Sequence, residues 1–202
     1  MPLYEIQHTI PLTISQKDEL AQAITHIHSE KFTTPKLFVN VSFTDTSQAW
    51  TYVGGRRQTG NHIRGTVRAG PTRTQQDWNE LCIAIQDAWT KIAGTPLPTG
   101  KYAANGTDAN GSVSQDTSLR SVIVVGGIIA GLEAGFVLPP AGGDVQWLEE
   151  NWATFNEKAE GGDEDFKGLV EEVKERGLMD GTGGMKTAQQ RLEEMLGWGD
   201  AA

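Results

Sequence analysis

The chain holds a single cysteine, Cys82, among 202 residues. No intramolecular disulfide can form, and a reducing cytoplasmic compartment fits. Histidines number four, are scattered, and no C-x-x-C occurs, so a structural zinc site is not expected. Long apolar runs are missing too. Val122–Gly135 is glycine-rich and falls short of the roughly 20 residues a membrane-spanning helix needs. No basic-led apolar stretch opens the chain, so no signal peptide is expected. Neither a G-x-S-x-G elbow nor a Ser/His/Asp order is present, and Cys82 falls on the apolar side of a helix, which leaves nucleophilic catalysis unsupported.

Positive charge is scarce and unevenly placed. The net charge is −9; residues from Asp144 onward include 15 acidic and 6 basic side chains, while the first 143 hold 11 of each. A neutral head therefore precedes an acidic extension, and no basic footprint for nucleic acid exists. Within the head, Arg56, Arg57, Arg64, Arg68 and Arg73 lie between Asp45 and Asp77 with no acid among them. Such a cluster suits a small carboxylate or phosphate, the other reading being a solvated basic face.

Periodicity organises the head. Leu3–Thr9 reads as a strand with Tyr4, Ile6 and His8 on one side. A helix opened by Ser15-Gln16-Lys17-Asp18 runs to about Lys31, with Leu20, Ile24 and Ile27 as its apolar stripe. Leu37–Phe43 alternates as a second strand, and Trp50–Val53 with Gly54-Gly55 forms a hairpin arm. The order then recurs: a strand at Ile63–Arg68, a cap at Thr74-Gln75-Gln76-Asp77, a helix through Leu81, Ile85 and Trp89, and a strand at Ser121–Val125. Two tandem β-α-β units imply an internal duplication and an α/β fold with four strands and two helices.

The rest is punctuation and tail. Thr95–Ser118, rich in Gly, Ala, Asn, Thr and Ser, reads as an exposed loop insertion. The expected division is residues 1–143 as the domain and 144–202 as the extension. Three weakly amphipathic segments lie there, Val145–Lys158, Asp163–Arg176 and Lys186–Trp198, as a docked helical appendage or as a largely disordered tail. Val122–Gly135 imitates the opening of a dinucleotide-binding fold. However, Ile128 replaces the middle glycine, and about 70 residues remain after it, too few for a doubly wound sheet.

The most informative residue present is Pro2. Removal of Met1, expected before proline, leaves a secondary amine on a rigid ring. Free α-amino groups titrate at about 7.7–8.0, and a cationic, partly apolar pocket lowers that value toward acid–base use. His28 borders the stripe of the first helix, about 80° around from it, while His26 points to solvent. Arg64, Thr66 and Arg68 are expected on one face of the third strand. Arg73 stands at the entrance of the second helix, whose free N–H groups favour anions. Two guanidiniums there would hold a carboxylate bidentately.

Pro2-Leu3-Tyr4, Ala23-Ile24-Thr25-His26-Ile27-His28, Val53-Gly54-Gly55, Arg68-Ala69-Gly70 and Leu132–Pro139 together resemble the tautomerase superfamily, in particular the cis-3-chloroacrylic acid dehalogenase group. The resemblance covers roughly residues 2–147. It implies subunits of two β-α-β units assembled as a homotrimer, with no cofactor, no nucleic acid and no membrane. It makes Pro2 the catalytic amine, His28 and Arg68 substrate-binding residues, and Glu133 the activator of water. Pro71 occupies the family's second arginine position and Arg73 lies two residues further on. Val124 or Val125 stands where the family keeps a pocket tyrosine. The implied activity is keto–enol tautomerisation of a small 2-oxo or unsaturated carboxylic acid. The alternatives are a cis-3-haloacrylate dehalogenase or hydratase with Pro2 as acid, and a non-enzymatic oligomeric binding protein. Because these residues precede the extension, truncation after about Asn156 is expected to leave an active trimer.

Overall fold

The structure, a computed structural model, describes residues 1–94 and 117–176. Burial alternates along β1 (Leu3–His8), with Tyr4, Ile6 and His8 inside. The chain continues through α1 (Ile14–Phe32) and returns in β2 (Asn40–Asp45), parallel to β1. A short arm of β3 (Thr51–Val53) and β4 (Arg56–Gln58) follows. The unit then repeats as β5 (Asn61–Val67), α2 (Gln75–Ile92) and β6 (Leu119–Gly126), with β5 and β6 parallel. The four strands order as β2-β1-β5-β6, and the two units meet where β1 and β5 pair antiparallel. Tyr4, Ile6, Ile24, Ile63, Ile85 and Trp89 form the core between sheet and helices. The tandem β-α-β expectation holds.

Several boundaries differ from the expectation, each for a physical reason. The first helix is capped by Thr13, not Ser15: Thr13 Oγ1 accepts from Gln16 N, and Gln16 Oε1 accepts from Thr13 N at 3.0 Å. That reciprocal box satisfies two orphan donors one residue before Ile14. Thr74 and Asp77 make the matching box on α2 as expected. The second strand starts at Asn40 because Lys36–Phe38 turns as a 3₁₀ segment after Pro35. Tertiary contacts hold that turn: Glu172 Oε2 accepts from Lys36 N at 3.0 Å, and the Phe38 ring lies edge-on to Trp147 at 5.1 Å. Most of the loop insertion, residues 95–116, lies outside the described residues. Its end is not exposed; Ser118 is buried, and Thr117 O accepts from Trp89 Nε1 at 2.9 Å.

Beyond the sheet, β7 (Leu132–Glu133) and β8 (Phe136–Val137) form a hairpin, followed by α3 (Asp144–Glu160) and α4 (Glu164–Glu175). No helix opens after Gly127, which removes the dinucleotide reading. A second core joins Phe38 to Trp147, Leu148, Phe155, Phe166 and Leu169. The Phe136 ring sits 4.9 Å from Phe155 and 5.6 Å from Phe166. Arg176 ties α4 to α1, donating to Ser29 Oγ at 2.9 Å and to Glu172 Oε1 at 2.7 Å. The first two extension segments are thus docked helices; Lys186–Trp198 lies outside the described residues. Among the described residues, no helix is long and apolar enough to cross a membrane.

On this packing, truncation after Asn156, expected from the sequence to be tolerated, is predicted to destabilise the chain, since the cut removes the α4 side of the second core. Leu169 is 1% exposed, and Leu169→Ala is predicted to cost about 2–5 kcal/mol of stability. Denaturant midpoints of Leu169→Ala and of the truncated chain check this: both fall well below that of the full chain, whereas an unchanged midpoint contradicts the packing.

Candidate active site

The start of β1 places the chain terminus among groups from four other elements. Pro2 is buried, and its carbonyl accepts from Asn40 N at 3.0 Å. Asn40 Nδ2 in turn donates to Glu133 Oε1 at 2.8 Å. The turn that presents Glu133 is tight: Ala134 and Gly135 have φ of 51° and 88°, the positive values a two-residue hairpin turn demands. Glu133 Oε2 is buried with no hydrogen-bond partner among the described residues.

The α-amino group here belongs to Met1, and its pKa is lowered from 8.0 to about 5. Burial is the main cause. Arg68 and Arg73 push in the same direction, while Asp144 and Glu133 oppose. The terminus, two guanidiniums and two carboxylates therefore share one neighbourhood.

Arg68 does not stand with Arg64 on a strand face. It lies one residue beyond the end of β5 and is 6% exposed, while Arg64 is exposed on the strand. Arg68 Nη1 donates to the carbonyls of Pro139 and Pro140, and Nη2 donates to Asp144 Oδ1 at 2.6 Å. Arg73 Nη2 lies 3.6 Å from Asp144 Oδ2, and its Nη1 donates to the Arg68 carbonyl at 3.1 Å. The Arg73 guanidinium also stacks 4.5 Å from the Phe32 ring centroid. The two expected clamp arginines are together, and Asp144 sits between them. Sequence reasoning missed Asp144, which the charge count absorbed into the acidic extension.

His28 is buried rather than at the edge of the apolar face. Its Nδ1 is 2.7 Å from Tyr4 Oη. Burial, and then Arg73, the terminal amine and Arg68, lower its pKa to about 3, so the ring stays neutral near pH 7. Burial raises the Tyr4 phenol, which keeps its proton. The phenol donates to Nδ1 when the imidazole proton is on Nε2, and accepts from Nδ1–H in the other tautomer. Gly65 makes this possible. It pairs with Tyr4 across the strands, and a Cβ there would lie 2.8 Å from the Tyr4 ring.

Two adjoining cavities open beside these groups under the loop 127–131. One, of about 450 Å³, is lined by Met1, Leu3, Thr66 and Leu132; the other, of about 460 Å³, by Arg68, Ala69 and Pro139. Ile128 and Leu138 line both. The first cavity is largely apolar and the second is about half polar, with Arg68 as its charged lining residue. Among the described residues, no group of three or more His, Cys, Asp or Glu could hold a metal ion.

Comparison with known proteins places the chain. Curated protein sequences return no match. Among solved structures, native Ps01740 is 30% identical, covering 61% of this chain and 91% of that one, with a TM-score of 0.42. N1, a member of the cis-3-chloroacrylic acid dehalogenase family, is 20% identical and covers 83% of this chain and 99% of its own, with a TM-score of 0.54. It shares the fold. Pt0534 inactivated by 2-oxo-3-pentynoate is 21% identical, covering 48% and 76%, with a TM-score of 0.40. Residues 1–99 match the family described as a putative oxalocrotonate tautomerase enzyme. With its duplicated β-α-β sheet and that match, the chain belongs to the tautomerase superfamily.

Proposed function

We propose that the chain is a tautomerase acting on a small 2-oxo or unsaturated carboxylic acid, with Pro2 as its acid–base group after loss of Met1. The observation that carries the reading is the terminal amine, lowered to about 5 by partial burial and by Arg68 and Arg73. Pro2 is buried one residue further in, so loss of Met1 would bare its nitrogen in this same neighbourhood. A neutral amine at pH 7 is a base. It takes a proton from the carbon α to the substrate carbonyl, the C–H pair becomes the enol double bond, the carbonyl π pair moves onto oxygen, and the protonated proline nitrogen returns the proton to that oxygen. In the tautomer with its proton on Nε2, the neutral imidazole of His28 is the group proposed to polarise that oxygen. The carboxylate binds at the arginines, principally Arg73, whose contact with Asp144 at 3.6 Å is looser than the 2.6 Å pair of Arg68.

A second reading is hydration or dehalogenation, with protonated Pro2 as acid. It draws support from Glu133 Oε2, a buried carboxylate oxygen without a partner among the described residues, which suits a water. The lowered amine favours the first. The proposal includes a homotrimer in a cytoplasmic setting, with exposed Ile123 on β6 and exposed Leu132 and Val137 on the β7–β8 hairpin as apolar surface for assembly.

Intact mass and turnover on an enolisable 2-oxo acid test the reading together. The expected outcome is loss of Met1 and near-complete loss of activity in Pro2→Ala; Met1 retained in a fully active protein contradicts it, and Met1 retained in an inactive protein points to a binding role. Because the base form exists only above its pKa, kcat/KM rises with pH through a limb below neutrality and is lost as pH falls. A limb near 8 contradicts the lowered amine. His28 adds no limb near 6.5, since it is already neutral there. Arg73→Gln should weaken turnover of acids by about 1.5–3 kcal/mol and spare the matched esters; equal losses would make Arg73 structural.

A further inference from the structure

We propose that Asp144 sets the charge of the accepted substrate, restricting the site to acids that carry one carboxylate. The proposal rests on the reading of this pocket as a carboxylate-binding site. Arg68 and Arg73 face Asp144 and Glu133 around the buried amine, so cations and anions balance before any substrate enters. Arg68 is committed, with Nη1 on two carbonyls and Nη2 on Asp144 Oδ1. Arg73 is less tightly held by Asp144, through an ion-pair contact without a hydrogen bond. Its Nη2 is buried, makes no hydrogen bond among the described residues, and lies 3.6 Å from Asp144 Oδ2.

One incoming carboxylate can take that donor. A second would enter the same buried space close to Asp144 and Glu133, with Arg68 already engaged. Burying a charge without its own partner is costly, and like charges nearby add to the cost. Asp144 is not a mobile surface acid that steps aside freely. It is 4% exposed and is the first residue of α3, where free backbone N–H groups favour a carboxylate. Asp144→Asn keeps the shape and an Oδ1 acceptor for Arg68 Nη2 but removes the negative charge, which leaves the two guanidiniums with uncompensated positive charge for a second carboxylate.

The experiment is calorimetric titration of the full chain, wild type and Asp144→Asn, with butyrate and succinate as unreactive probes. Wild type is expected to bind butyrate at least about tenfold more tightly, and Asp144→Asn to shift the ratio toward succinate by about ten- to hundredfold. Asp144→Glu, with the charge kept, retains the preference for butyrate. Succinate bound as tightly as butyrate by the wild type overturns the proposal, and so does an Asn variant with an unchanged ratio. If Asp144→Asn does not fold, the wild-type ratio decides. If the wild type binds neither probe, the carboxylate-site reading itself fails, an outcome distinct from lost selectivity.

Discussion

The ion pair between Arg68 and Asp144, 2.6 Å apart with both side chains nearly buried, ties the sheet to the extension and sets the field around the chain terminus. Arg68 lies just past β5, and Asp144 begins α3. One contact therefore fixes where the second helical layer starts and how much positive charge the pocket keeps. A buried pair is costly to break from one side, about 3–5 kcal/mol, because it strands a charge. Replacing Arg68 by alanine would therefore destabilise the fold before it changed any affinity. Arg73, held by stacking on Phe32 and a bond to the Arg68 carbonyl, is the cleaner probe of binding.

Burial then does the tuning. The terminal amine and His28 both lose their charge because the site removes water from them and surrounds them with guanidiniums. A neutral base and a neutral hydrogen-bond donor result, the pair that proton transfer next to a carbonyl calls for. Tyr4 holds the imidazole in one orientation, and Gly65 leaves room for the Tyr4 ring. Asn40 does the same for Glu133 while its backbone fastens Pro2.

Much of the fold is legible in the sequence because its signals are local. Alternation in β1, the Leu81–Ile85–Trp89 stripe and the Thr74 box need only neighbours in the chain. What escapes is set by distant contacts. The 3₁₀ turn at Lys36–Phe38 depends on Glu172 and Trp147, more than a hundred residues away. The candidate site divides in the same way. Pro2, His28, Arg68, Arg73 and Glu133 can be picked out by residue type and motif. Asp144 cannot, since one acid in an acidic tail has no distinguishing pattern until the fold sets it against two arginines.

The account stands on the ionisation of one nitrogen. Titration of the N-terminal proline nitrogen by ¹⁵N NMR in the intact, fully processed protein measures it directly. The account predicts a proline amine that titrates well below the ordinary range for a free α-amino group, neutral at pH 7. A nitrogen still protonated at pH 8, or one found in an amide because Met1 remains attached, would contradict it.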